Sequence, residues 1–495
     1  MNSASASSSR RSAAAPALIL VGLILLALLL RAWRLGDWGF EATEMFTLRD
    51  SNNPKLGNPR PVIYFLNYFL IRSWRPLDEL GLRLLPALFG VLAVPAIYLV
   101  GRRLVGTRAA LFAALLIAVS SFHVYYSQFA RYWSLVFLLS AIYPYAIYLG
   151  VRERNRPALI VGVVTGVLAI LSHPVSSLLV GGLGLWLLAT YLRRDHLVWL
   201  WGQRAARWGM LVFVIVALVI AVRYVPMLQD WVAGRHQQPK GGQFLLHLPG
   251  GRGFKQLAIL LSYADTLTLP VVLAGLVGIV LLWQQGDRAL ALLLTCLLVF
   301  PVAFLIMVSF YAAISTIYLL PSAPVLFYGA GVFLGRLAEV DLGLRPRWLA
   351  PATVAAFIIV SGVPTLVSQY RDGRRYDFKS MAGWLNERLE PGDVVFSDQH
   401  QVMQYYLKTT PVQRLVGDPA PLGAAMPGPG KGALWVVAPA PSHAFRTNPR
   451  LGILKTWIHT RCQLRNTLGS GRLDFRQHYL EIYRCPPALP VAASP

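Results

Sequence analysis

The chain has 495 residues, 56% of them hydrophobic and 14% charged, with a mean hydropathy of +0.52. That is too apolar for a soluble protein of this length, and repeated apolar runs of about 20 residues predict a polytopic membrane protein. The formal net charge of +24 does not signal nucleic acid. The arginines sit in short clusters between apolar runs, which is the positive-inside pattern of a bacterial inner-membrane protein.

Ser-rich residues 1–12 read as a disordered cytoplasmic tail that Arg10 and Arg11 hold inside. No small-residue cleavage site follows Ala17–Leu30 before Arg31, so this segment is expected to remain as an anchor. About eleven spans are expected, at 13–33, 82–101, 109–127, 132–150, 157–172, 174–192, 208–226, 267–284, 288–309, 317–335 and 348–368. With the N-terminus inside, every even-numbered span should exit into basic residues. Arg102 and Arg103, Arg152 and Arg154, Arg193 and Arg194, Arg288, and Arg336 and Arg345 meet that requirement in turn. The odd count then places loops 35–81 and 227–266 on the outer side, together with everything from 369 to 495.

Inside the first outer loop, Val62–Trp74 carries Tyr64, Phe65, Phe69 and Trp74 and suits a helix lying in the membrane interface. The 369–495 segment changes character. Asp377–Leu389 has helical spacing, a Pro391-Gly392-Asp393 turn follows, and Val394–Phe396 reads as a strand. Val402–Leu407 continues as helix, Ala433–Val437 and Tyr479–Arg484 as further strands, and Pro419–Lys431 as loop. The expected architecture is therefore a transmembrane domain over 13–368 and a small periplasmic α/β domain over 369–495. Cys296 falls in an apolar run. Cys462 and Cys485 fall in the outer domain, where a disulfide and two unpaired thiols are both compatible with the sequence.

Chemistry points first to residues 37–50, which hold four acids: Asp37, Glu41, Glu44 and Asp50. Glu41 and Glu44 are three apart and share a face if the loop turns as a helix. Such carboxylates can act as bases or bind a metal, or can simply face water or pair with Arg. Arg60, stiffened by Pro59 and Pro61, can face a lipid phosphate or merely snorkel. Arg131, in the outer turn Ser120–Trp133, runs against the positive-inside bias and is better explained by an anion. His173, at the outer end of a span, is an ionisable residue where few occur; a histidine satisfied by backbone groups is the plain alternative. The loop Gln229–Lys255 reads as a mobile, glycine-rich substrate loop.

In this order, Thr43-Glu44-Met45-Phe46-Thr47, Arg60-Pro61-Val62-Ile63-Tyr64, Arg83-Leu84-Leu85-Pro86-Ala87 and Tyr126-Ser127-Gln128-Phe129-Ala130-Arg131-Tyr132 resemble motifs of the GT-C superfamily of membrane glycosyltransferases. The likeness is to bacterial relatives of protein O-mannosyltransferases and of the aminoarabinose transferase acting on lipid A. It implies inverting transfer of a sugar from a polyprenyl-phosphate donor to a hydroxyl of a glycan, lipid or protein, at the outer face of the inner membrane, with a divalent metal in some members. The family's first-loop Asp is replaced here by Thr43, or by Phe40 in the other register, neither of which can be a base. The resemblance therefore assigns catalysis to Glu44, also as a metal ligand, and to Glu41. It assigns the donor phosphate to Arg131, Tyr132 and Arg60, and the substrate cavity to His173, Tyr64 and Gln128. Two rival readings are a lipid or glycan transporter, for which no half-repeats are visible, and a non-catalytic assembly partner on the same fold, for which the missing Asp argues.

Overall fold

The computed structural model describes residues 3–58, 60–191, 201–204, 207, 208, 211, 215, 255–309, 314–340, 345–416, 418–426, 432–439, 449–469 and 479–486. All but a few residues of the expected span 208–226, and the loop 229–255 except its last residue, lie outside them. The chain forms two compact units. The first comprises Met1–Trp33, Asn53–Trp74 and Arg83–Val363, and the second Arg34–Asn52, Arg75–Leu82 and Pro364–Pro495.

The first unit is helical. Among the described residues, six helices are long and apolar enough to cross a membrane, or up to eight if each of two bent pairs is one span. The eleven expected spans are thus not all full-length helices. Arg156–Ser172 and Ser177–Tyr191 are apolar but have only 17 and 15 residues. The expected span 109–127 is two helices, Thr107–Val119 and Ser121–Ser127, bent by 59°. The bend falls where Ser120 caps the second helix by accepting the His123 N–H at 3.3 Å. Another break, of 98°, separates Lys255–Leu267 from Leu269–Gln284. There Thr268 takes a left-handed φ of 72°, a strained geometry for a β-branched residue, and Pro270 starts the next helix.

Small residues set the closest packing in this unit. A Cβ on Gly278 would overlap the carbonyl of Gly329, and one on Gly329 the carbonyl of Gly275. The helices Leu269–Gln284 and Ala323–Leu337 therefore meet backbone to backbone, as small-residue seams allow in membranes. The interfacial segment is helical over Pro61–Leu66 and runs on as a π-turn, Asn67–Ile71. Phe69, Leu70 and Trp74 are exposed while Ile63, Tyr64 and Ile71 are buried, the two-faced pattern of a helix at an interface.

The second unit is built on a five-stranded sheet in the order β2-β1-β3-β5-β4, with β1 Val394–Ser397, β2 Val412–Arg414, β3 Leu434–Pro439, β4 Gln463–Leu468 and β5 Leu480–Cys485. β1 runs parallel to β2 and β3, and β5 antiparallel to β3 and β4. One core packs Phe396, Val436 and Tyr483 against Leu454 and Ile458 of the helix Pro449–Arg461. Asp393 pins the turn before β1, accepting the Ala433 N–H at 2.6 Å and the Trp435 indole N–H at 2.8 Å. Cys462 and Cys485 are disulfide-bonded, and Cys296 is a buried free thiol. Helices Phe378–Asn386 and His400–Tyr406 stand where helical spacing places them, the first capped by Asp377. The expected loop Pro419–Lys431 contains a short helix, Ala420–Ala424. β2, β4 and the helix Pro449–Arg461 are additions to the expected elements.

Just after β1, the Asp398 carboxyl is pushed up to about 6 by burial, against hydrogen bonds from Gln399 and Ser397 that pull it down. The folded unit thus binds this proton more tightly than the unfolded chain. Its contribution to stability is full below about pH 4 and is lost as pH rises through about 6. Asp398→Asn should flatten that part of the profile, raising the unfolding midpoint at pH 7.5 relative to wild type but not at pH 4. The gain is at most ~3 kcal/mol, less for the residue's partial exposure. Thermal unfolding of the purified chain at the two pH values reads it, and an equal shift at both would contradict it.

Candidate functional site

In the first unit, three chain breaks converge on the ring of Tyr132. Arg60, with φ −148° and ψ 60°, is the N-cap residue of the helix Pro61–Leu66. The Arg131 N–H turns back to the Phe129 carbonyl at 2.6 Å, just ahead of the helix Trp133–Ser140. His173, extended at φ −161° as suits the residue before a proline, lies between Ser172 and the turn Pro174–Ser176. The guanidinium carbons of Arg60 and Arg131 sit 4.9 and 4.7 Å from the Tyr132 ring centre. Arg131 also donates to the Tyr132 hydroxyl at 3.1 Å. The His173 ring lies 4.9 Å from Tyr132, 4.8 Å from Trp133 and 5.9 Å from Tyr318.

His173 is buried, and its Nδ1 accepts the Val175 N–H at 3.1 Å. Burial first, then the charges of Arg60 and Arg131, push its pKa down to about 2, so the imidazole is neutral. Its Nε2, like the Nε of Arg60, is enclosed with no hydrogen-bond partner among the described residues. Buried donors left so cost about 1–3 kcal/mol each, and two beside two guanidinium charges are the makings of an anion site.

The remaining cavity candidates have other surroundings. Gln128 is fully buried and donates to the carbonyls of Trp33 at 2.8 Å and Arg31 at 3.2 Å, holding the end of the helix Ser3–Ala32. Tyr64 is buried on the helix that Arg60 precedes.

The acids belong to the second unit. Glu41 directly precedes the helix Ala42–Asn52, and the Glu44 carboxylate reaches back to accept the Glu41 N–H at 2.9 Å, a capping arrangement. The same Oε2 accepts from Arg375 at 2.9 Å, with both side chains almost wholly buried. Thr43 is exposed and Phe40 fully buried, packed edge-on to Tyr405 at 5.3 Å. The Phe40 N–H donates to the Tyr406 hydroxyl at 2.7 Å, and Tyr406 in turn donates to Glu79 at 2.9 Å. Arg34, ion-paired to Asp37, reaches the Tyr370 carbonyl at 2.7 Å. Glu41 keeps part of its surface in solvent.

Arg375 is the residue that reading the sequence missed. Its signal was present in the run Arg371-Asp372-Gly373-Arg374-Arg375, which offends the outer-side charge bias as Arg131 does. A metal does not fit this chain's acids as arranged. Glu44 faces a guanidinium, and no group of three or more His, Cys, Asp or Glu converges among the described residues.

Residues 61–224, about a third of the chain, match the family described as dolichyl-phosphate-mannose-protein mannosyltransferase. ArnT from Cupriavidus metallidurans in the apo state superposes with a TM-score of 0.55 at 14% identity, covering 96% of this chain and 98% of that one. Its complex with undecaprenyl phosphate gives 0.56 at 15% identity, over 97% and 99%. The Archaeoglobus fulgidus oligosaccharyltransferase, in complex with Zn and sulfate, gives 0.53 at 14%, over 85% and 68%. Among curated proteins none matches in sequence.

Proposed function

We propose that this chain, which has the fold of the GT-C membrane glycosyltransferases, transfers a sugar from a polyprenyl-phosphate donor to an acceptor hydroxyl. The observation that carries the reading is the pair Arg60 and Arg131 on the Tyr132 ring, a built anion site in a fold that elsewhere holds undecaprenyl phosphate. The acceptor oxygen attacks the anomeric carbon, the bond from that carbon to the phosphate oxygen breaks with inversion, and the lipid phosphate leaves with the electron pair. Two guanidinium groups neutralise the charge that grows on it. The acceptor proton needs a base. Glu44 is fully buried against Arg375, whereas Glu41, at the head of the same helix, keeps part of its surface in solvent where an acceptor can reach it, which makes Glu41 the better candidate. No step is routed through a metal.

The Arg clusters support an N-terminus in the cytoplasm and the α/β unit in the periplasm, and the disulfide fits that compartment. The test is transfer of labelled sugar from polyprenyl phosphate by the purified protein in detergent. Arg131→Ala should lower the rate about 10²-fold. An undiminished rate removes Arg131 from the site. Lipid-sugar binding without any turnover in wild type would favour the assembly partner, and flux without a covalent product the transporter.

A further inference from the structure

Resting on the reading of the Tyr132 cluster as a phosphate site, we infer that His173 is its third ligand group, an uncharged donor that hydrogen-bonds the lipid phosphate through Nε2–H. The tautomer follows from geometry. Nδ1 accepts the Val175 N–H, so the ring's proton sits on Nε2. That N–H is enclosed and has no acceptor among the described residues. It is also aimed by more than its backbone. Tyr132 and Trp133 lie against the ring, tilted by 36° and 34°, which limits its rotation. Pro174 fixes the extended backbone from which the side chain projects.

Charge argues for the same occupant. With Arg60 and Arg131 on the neighbouring Tyr132 ring, a cation is repelled and a neutral apolar group would leave the Nε2–H and the Arg60 Nε unsatisfied. A phosphate, with several acceptor oxygens, offers an acceptor to each. The neutral state has a use in turnover. The leaving phosphate gains charge as the glycosidic bond breaks, and a third fixed cation would hold the product lipid more tightly than the substrate. A neutral donor adds direction to the grip without adding charge.

The experiment is equilibrium binding of undecaprenyl phosphate, and of uncharged undecaprenol as control, to the full-length protein in detergent. His173→Phe should weaken binding of the phosphate lipid on the order of 10- to 100-fold, leave undecaprenol binding unchanged, and so separate loss of the donor from loss of the fold. His173→Gln, which restores an uncharged N–H at similar reach, should recover most of the affinity. If His173→Phe binds the phosphate lipid like wild type while Arg60→Ala and Arg131→Ala bind it weakly, the inference is wrong and the phosphate site stands. Should all three variants bind it like wild type, the phosphate site itself falls. Equal loss in His173→Phe and His173→Gln would also overturn the inference, since packing and not donation would then explain the residue.

Discussion

Glu41→Gln should lower the rate of sugar transfer by about 10²–10⁴, the range for removing a general base, while leaving donor binding and thermal stability near wild type. The expectation follows from the contrast between two acids three residues apart. Glu44 has the stronger claim by position in the sequence, because it stands beside the place of the family's missing Asp. Its carboxylate, however, is buried, accepts the Glu41 N–H and is paired with Arg375. A base so held would have to break an ion pair before taking a proton. Glu41 gives its backbone N–H to that arrangement and keeps part of its surface in solvent. Glu44→Gln should therefore reduce the yield of folded protein more than the rate per folded molecule. Single-turnover transfer and donor titration on both variants separate these effects. A Glu41→Gln enzyme at full rate would exclude Glu41 as the base.

Arg375→Ala should destabilise the α/β unit by about 3–5 kcal/mol, because it removes the ion-pair partner of the buried Glu44 carboxylate. The pair is 2.9 Å apart with side-chain exposures of 2% and 0%. Arg375 also donates through Nε to the Gly373 carbonyl at 3.1 Å, so one side chain fastens the turn after the helix Leu349–Asp372 to the first loop. The unfolding midpoint should fall by roughly 10 °C. Removing both charges, as Glu44→Gln with Arg375→Met, should recover much of the loss, since no buried charge is then left alone. A single Arg375→Ala variant that melts with wild type would show that the pair contributes nothing.

Local signals carried a good part of this structure. Two residues that break a local expectation, Arg131 in a turn expected on the outer side and His173 at the end of an apolar run, both stand at the Tyr132 cluster. Helices Phe378–Asn386 and His400–Tyr406 and strands β1, β3 and β5 follow from spacing and turn residues. Other features were not legible for physical reasons. β4 is solvent-facing along most of its length, so it has no apolar alternation to read. The bends at Ser120 and Thr268 depend on one cap and one strained residue inside otherwise continuous apolar sequence. The partnership of Glu44 with Arg375 spans 331 positions and leaves no periodic trace. The first loop looks like a link between two spans, yet Arg34–Asn52 folds with the α/β unit.

The glycine seam between Leu269–Gln284 and Ala323–Leu337 limits where a long isoprenoid can travel. Lipid chains slip between helices when side chains change rotamer and open a slot. Around Gly275, Gly278 and Gly329 there are no rotamers to change, and not even a methyl group fits between the two main chains. At these positions the pair of helices is closed to hydrocarbon, so the tail of the donor proposed above would have to thread past another part of the first unit.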